Sequence, residues 1–309
     1  GKTTSEITQA IKAGIYCFNV ESIPELQRIN EIACTLNTRA PVSLRVNPNI
    51  DAKTHPYIST GLTGHKFGIA YTDIIATYQL AQSLEGLKII GISCHIGSQL
   101  EEISPFVEAI ECVLKLVEQL ASNNIELEFI DIGGGLGVSY ANQHIPSIAD
   151  YTQAISAALA TSKLKLIIEP GRSLVAAAGV LVTKVEYLKP TATKNFAIVD
   201  AAMNDLMRPC LYQAQHQILP LVAHDNPQET YDIVGPVCES SDVLAKDVKL
   251  DIKEDDLLAI LHSGAYGLSM SSNYNTRARA AEILVDGNKA NLIREREELS
   301  SLWQLEHII

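Results

Sequence analysis

The sequence has no C-x-x-C pair, no apolar run near the roughly 20 residues of a membrane span, and no surplus of base. Its 24 Lys and Arg stand against 36 Asp and Glu, a net charge of −12. No basic face is available to neutralise phosphates, which excludes a general nucleic-acid binder. The overall sign says little about small substrates, because local arginines can oppose it. Six cysteines lie scattered at 17, 34, 94, 112, 210 and 238, a pattern of neither a disulfide framework nor a zinc site, so no metal is expected. That cysteine pattern reads as a reducing compartment, and a cytoplasmic protein that neither crosses nor binds a membrane is expected. The 309 residues, 47% of them hydrophobic, have room for a large core and one or two domains.

Two nucleotide signatures are also missing. The opening GKTTSEITQAI carries the tail of a phosphate loop, G-x-x-x-x-G-K-S/T, without its first glycine or the preceding strand. A local reading is available: Thr3 and Glu6 have the spacing of a capping box ahead of Ile7, Ala10, Ile11 and Ala13, so a helix is expected to start here and end at Gly14. Farther on, DIGGGLGVSY invites a dinucleotide fingerprint. G-x-G-x-x-G starting at Gly133 would need glycine at 138, which is Val138.

What is present is alternation. GIYCFNV (14–20), PVSLRVNP (41–48), IIGISCHIG (89–97), LEFIDIGGG (127–135) and LKLIIEPGR (164–172) read as short buried strands. Phe106, Ile110, Val113, Leu114, Leu116 and Val117 mark a helix between the third and fourth. Strands alternating with helices predict a parallel sheet with crossover helices. After about residue 176 the segments GVLVTKVEYL, KNFAIVDA, QILPLV, YDIVGPVC, LLAILHSGAY and AEILVDGNKANLI predict an all-β domain. The fold class expected is α/β plus all-β. Residues 1–175 form part of a (β/α)8 TIM-type barrel with five of eight strands visible, and 176–309 form a sandwich-like or barrel-like β domain. At roughly 30 residues per unit, three barrel units, about 90 residues, are expected upstream of Gly1.

Three strands end in sequence suited to chemistry, which α/β folds place at strand carboxyl ends. CHIGSQ offers His95 and Ser98, although a lone histidine is more often structural than catalytic. The glycines of DIGGG can close their backbone N–H groups around a phosphate or simply make a tight turn. In EPGRS, Pro-Gly forces a turn that aims Glu169 and Arg172 together, a carboxylate and a guanidinium able to grip a protonated ring nitrogen and an anion. GPVCES sets a cysteine beside a glutamate, and HSGAYGLSMSSNYN holds a tyrosine in a glycine-flanked loop.

The ordered set CHIGSQ, DIGGGLG, EPGRS, GPVCES and GAYGLSMSSNYN resembles the fold-type III, pyridoxal-phosphate-dependent decarboxylases. The likeness is greatest to their diaminopimelate-specific branch. It runs through the whole chain, including RAAEILVDG and the LIREREELSSLW tail. Each motif is weak alone; five in order are not. The resemblance implies pyridoxal 5'-phosphate as cofactor, with His95 stacked on its ring and Ser98, Gly133, Gly134 and Gly135 around its phosphate. It implies that Glu169 keeps the ring nitrogen protonated and that Pro170, Gly171 and Arg172 line the phosphate and substrate pocket. Tyr266 would reach the cofactor, and Cys238 would reprotonate the carbanion, both across the interface of a homodimer with shared active sites. Thiols titrate close enough to neutrality for that task.

Substrate choice follows from charge. The distal head of diaminopimelate carries a carboxylate and an ammonium and needs a partner for each. Arg208 and Tyr212, in MNDLMRPCLYQ, match the family's carboxylate-binding positions, and Glu239 matches its ammonium-binding one. Arg208 could otherwise be a solvated loop cation. The expected reaction converts diaminopimelate to lysine and carbon dioxide. Carboxynorspermidine or another basic amino acid is the alternative substrate, and a non-catalytic homologue the alternative class. That second alternative arises because the family's cofactor-bearing lysine lies in a Tyr-Ala-x-Lys-Ala-Asn segment, and none occurs in these 309 residues. Lys2 and Lys66 stand in other contexts, and the segment is expected in the upstream units.

Overall fold

The structure, a computed structural model, describes residues 1–50, 66–141 and 143–309. It comprises two units, each described here by itself. The first is Gly1–Val138 with His144–Arg172, and the second is Ser139–Gln143 with Ser173–Ile309.

The first unit begins with α1 (Thr4–Ala13), and its cap explains the opening motif. Glu6 N–H donates to the Thr3 hydroxyl, while Thr3 N–H donates to the Glu6 carboxylate at 2.7 Å. Gly14, left-handed, closes the helix. Lys2 does structural work: its Nζ donates to the Asn19 carbonyl at 2.8 Å and to Glu25 at 3.1 Å. The phosphate-loop reading therefore fails, and the helix start stands.

The chain continues through β1 (Phe18–Val20), α2 (Ile23–Thr35), β2 (Ala40–Asn47), β3 (Ile69–Ala70), α3 (Ile74–Ser83), β4 (Leu87–Ser93), α4 (Ser104–Ser122), β5 (Phe129–Asp131), α5 (Ile148–Ala158) and β6 (Lys165–Ile167). All sheet pairings are parallel, in the order β1-β2-β4-β5-β6, with β3 attached to the end of β2. This is the expected run of β/α barrel units: the five expected strands are present among the described residues, and β3 is a short addition that lies off their path. β3 has two residues, Ile69 buried and Ala70 exposed, too short to show any periodicity. The strand expected over 127–135 also stops at Asp131, because the glycines after it turn away.

Packing explains the core. On α4 the buried residues Phe106, Ile110, Val113 and Leu116 share one face, and Phe106 meets Tyr151 of α5 edge-on at 5.0 Å. Gly91 in β4 is required by its neighbour, because a Cβ there would overlap the Phe129 ring. Tyr78 is fully buried, and the lost hydration of its hydroxyl is offset because it donates to Gly91 O at 2.7 Å and accepts from Leu44 N–H.

A short helix, α6 (Arg172–Val175), runs over the junction between units. The second unit contains β7 (Leu181–Pro190), β8 (Asn195–Val199), α7 (Arg208–Tyr212), β9 (Ile218–Pro220), β10 (Glu229–Val234), β11 (Val243–Leu250), β12 (Leu257–Ile260) and the hairpin β13 (Glu282–Asp286) with β14 (Lys289–Arg294). Six of these strands make one sheet in the order β11-β10-β8-β7-β12-β9, antiparallel except between β8 and β10. Its two outer strands, β9 and β11, approach one another, so the sheet curls around Val185, Val199, Ile233, Leu258 and Ile260. Sequence patterning missed β11. Its VLAKDVKL is dense in charge, lies at the sheet edge, and carries a bulge with Asp247 at positive φ.

Candidate active site

In the first unit, the carboxyl ends of β4, β5 and β6 bring the expected residues together. His95 is half-buried just past β4, and its Nδ1 accepts the Gly134 N–H at 3.2 Å. The ring proton therefore sits on Nε2. Burial, aided by the Arg45 charge, lowers its pKa to about 4, so the imidazole is neutral at physiological pH. The glycine run after β5 is sterically obligatory. A Cβ on Gly133 would lie 2.6 Å from His95 Nδ1, one on Gly134 would overlap the Glu169 carbonyl, and one on Gly135 the Gly97 carbonyl. Gly133 and Gly135 also have positive φ, where side chains are strained. The N–H groups of Gly133 and Gly134 are engaged within the unit, by Asp131 Oδ1 and His95, which narrows the phosphate role expected of the three. Arg172, buried, donates from Nη2 to Ser98 Oγ at 3.0 Å, joining the β6 and β4 ends. Pro170 is half-buried, and the space beside the Gly171 backbone is open.

Glu169 is held by residues that motif reading did not single out. Asn19 Nδ2 donates to Asp131 Oδ2 at 3.0 Å and reaches Glu169 Oε1 at 3.4 Å, while Ser43 Oγ donates to Asn19 Oδ1 at 2.7 Å. Glu169 is exposed at its strand end, yet partial desolvation raises its pKa, and Asp131 raises it further through charge and a hydrogen bond. A carboxyl of raised proton affinity beside a second carboxylate suits a cationic N–H. This donor set fits the cofactor implied above: a neutral imidazole face, a glycine cradle with no room for side chains, a serine–arginine pair, and acid for a ring nitrogen.

In the second unit, Asp242 organises the remaining candidates. Its buried carboxylate accepts Met203 N–H at 2.7 Å and Val237 N–H at 2.8 Å, pinning the segment before α7 to the loop that carries Cys238 and Glu239. Asn204, fully buried, exchanges bonds with Ser272, which draws in the loop after Tyr266. Cys238 and Glu239 are exposed. The Glu239 carboxylate accepts the Ser241 hydroxyl and, at 2.6 Å, the Tyr274 hydroxyl, and both lower its pKa.

Arg208 is not a solvated cation. It is 4% exposed, lies 4.1 Å over the Tyr140 ring, and donates to His216 Nε2 at 2.7 Å. His216 in turn donates from Nδ1 to Leu261 O at 2.8 Å, which fixes its tautomer. Tyr212 is half-buried at the end of α7. Tyr266 is exposed with φ 59°, a rare conformation for a bulky residue and of the kind concentrated at functional sites. Asn19, Asp131, Tyr140, Asn204, His216, Asp242 and Tyr274 were not found from sequence. Asp131, Tyr140, Asn204 and Tyr274 stand inside the quoted motifs DIGGGLGVSY, MNDLMRPCLYQ and GAYGLSMSSNYN, but nothing in those motifs singled them out. The others act through long-range contacts.

Comparison with known proteins gives a consistent result. Residues 1–176 match the family described as "pyridoxal-dependent decarboxylase, pyridoxal binding domain". A curated diaminopimelate decarboxylase of Vibrio cholerae is 55% identical over 310 residues, spanning 100% of this chain and 74% of the relative. That of Pseudomonas aeruginosa is 52% identical over 309 residues, again spanning 100% of this chain and 74% of the relative. The crystal structure of diaminopimelate decarboxylase from Helicobacter pylori complexed with L-lysine superposes with a TM-score of 0.95 at 46% identity, covering 99% of this chain and 77% of that one.

Proposed function

The chain belongs to the diaminopimelate decarboxylases, within the pyridoxal-dependent decarboxylase family, and from that premise we propose that it converts meso-2,6-diaminopimelate to L-lysine and carbon dioxide. The observation that carries the reading is the gathering of a neutral imidazole, a glycine cradle and a carboxyl of raised proton affinity at three adjacent strand ends. Bound pyridoxal phosphate supplies the electron sink that accepts the pair left when carbon dioxide departs. His95 offers its uncharged face to the cofactor ring. Ser98, Gly135 and the Gly171–Arg172 backbone receive the phosphate, and Glu169 holds the ring-nitrogen proton. The first unit is thus the cofactor-binding domain.

The second unit supplies substrate recognition and the proton. Arg208 and Tyr212 take the distal carboxylate, Glu239 takes the distal ammonium, and Tyr266 with Arg172 completes the pocket. The Cys238 thiol delivers its proton to the α-carbon and recovers one from solvent. Cys238 and Tyr266 serve the barrel of the other subunit in a homodimer. The setting is the cytoplasm, in keeping with six free cysteines and with no helix among the described residues long and apolar enough to cross a membrane.

The test uses the protein expressed from the gene that carries this sequence. Meso-diaminopimelate labelled in its carboxyl groups should release labelled carbon dioxide and an equal amount of L-lysine, with ornithine and carboxynorspermidine left unchanged. Preferential turnover of carboxynorspermidine would overturn the substrate. No turnover of any amino acid by cofactor-loaded protein would overturn the enzyme.

A further inference from the structure

The cluster around Glu169 contains more than a ring-nitrogen partner needs. Four strands contribute to it: Asn19 from within β1, Ser43 from within β2, Asp131 from the end of β5 and Glu169 from beyond β6. The Ser43 hydroxyl fills the Asn19 amide oxygen at 2.7 Å, which turns the amide nitrogen toward the two carboxylates. That nitrogen donates to Asp131 at 3.0 Å and reaches Glu169 at 3.4 Å. The other Asp131 oxygen takes the Gly133 N–H at 2.9 Å. Both oxygens of Asp131, a residue only 3% exposed, thus accept hydrogen bonds.

Burying that carboxylate against a second one is costly. Neither of these two hydrogen bonds demands a charge, because a neutral amide oxygen would accept the Gly133 N–H equally well. The charge itself is therefore what the position adds. Lys2 steadies the arrangement from behind, with its Nζ on the Asn19 carbonyl at 2.8 Å.

We propose that Asp131 and Asn19 are positioning residues for Glu169. Asp131 sets a second negative charge beside the ring-nitrogen partner, and Asn19 fixes both carboxylates in one orientation, so that a ring nitrogen resting on Glu169 keeps its proton. The proposal rests on the cofactor reading above. It agrees with the influence of Asp131 on Glu169, where its charge and hydrogen bond raise proton affinity, Glu21 adds in the same sense, and Arg45 opposes them.

The test uses pyridoxamine 5'-phosphate, which needs no covalent link to the protein, labelled with 15N in the ring. Its ring-nitrogen resonance, followed against pH, reports protonation directly. Asp131→Asn keeps the Gly133 contact and should lower the proton affinity of the bound ring nitrogen by about tenfold or more, one pH unit in midpoint. Affinity for the 1-deaza analogue, which has no ring nitrogen, should be unchanged. Asn19→Ala keeps both charges but frees Glu169, and should reduce the preference for pyridoxamine phosphate over its 1-deaza analogue severalfold. A purely structural role would move both ligands alike. An Asp131→Asn titration that overlays the wild type overturns the proposal. If that variant melts below the assay temperature, an unchanged preference in Asn19→Ala overturns it instead. Wild-type protein that binds neither ligand refutes the cofactor reading, and the proposal with it.

Discussion

His95 gives the sharpest physical test of the site, because the burial of its imidazole can be read without substrate. Its ring is neutral at physiological pH: burial, with help from Arg45, lowers the pKa from the ordinary 6.5 to about 4. The unfolded chain takes up a proton below pH 6.5, and the folded one only near pH 4. Between those values the unfolded state binds more protons, so stability falls as pH falls. The penalty is absent above pH 6.5 and complete below pH 4. At about 1.36 kcal/mol per pH unit, the gap between 6.5 and about 4 makes it at most about 3.4 kcal/mol. His95→Gln retains an acceptor for the Gly134 N–H and cannot be charged. Urea unfolding of cofactor-free protein, followed by far-UV circular dichroism from pH 7.5 to 4.5, compares the two. The wild type should lose about 2–3 kcal/mol relative to the variant by pH 4.5. Subtracting the variant removes the carboxylates that titrate in both proteins. Parallel stability curves would mean that His95 charges freely in the folded state, and the neutral stacking face would be lost from the mechanism.

Three further outcomes are expected. Thr3→Ala removes the hydroxyl side of the α1 cap and should lower the melting temperature by about 2–4 °C, with an unchanged melt refuting the cap's contribution. Glu239→Gln should impair diaminopimelate turnover while cofactor affinity, measured by titration, stays as it was; unaltered kinetics would move the ammonium contact to another acid. Cys238→Ala should slow turnover by roughly 10²–10⁴-fold, and mixing it with inactive Glu169→Ala protein should restore about a quarter of wild-type activity through one intact site in each mixed dimer. Failure to recover despite proven subunit exchange would put both residues in one subunit's site.

Legibility from sequence divides along a physical line. The capping box at Thr3 and Glu6, the α4 stripe through Phe106 and Val113, and the parallel strands depend on near neighbours in the chain, and their patterns are local. β3 was invisible because two residues have no period, and β11 because an edge strand with Lys246, Asp247 and Lys249 alternates charge where a core strand would alternate burial. The strand-end motifs were legible as composition, since three glycines in a row or Glu-Pro-Gly-Arg are rare. Their supports were not. Asn19 meets Asp131 across 112 residues and Glu169 across 150, and no spacing rule links such positions. Tyr140 likewise joins Arg208 and His216 from the far side of the 144–172 segment.

The same supports bear on substrate choice. On the proposed reading, the two charges that face the distal head of diaminopimelate are held in unlike ways. Arg208 is desolvated in advance: it is buried, over the Tyr140 ring, and aligned by a histidine whose tautomer Leu261 fixes. Glu239 stays on an exposed loop, charged and oriented by two hydroxyls from Ser241 and Tyr274. A desolvated guanidinium gains most from an anion and loses most when a ligand offers none, because it cannot turn back to water. An exposed carboxylate discriminates less, since water replaces an absent ammonium at little cost. Rejection of a ligand with only a distal amine, such as ornithine, should therefore depend chiefly on Arg208 and not on Glu239. The His216→Phe variant removes the aligning acceptor while leaving the guanidinium in place. Its ratio of kcat/KM for diaminopimelate over ornithine should fall toward that of Arg208→Met, whereas Tyr274→Phe should leave most of the ratio intact. If Tyr274→Phe collapses the ratio and His216→Phe does not, selectivity lies with the ammonium partner and this ordering of the two charges is wrong.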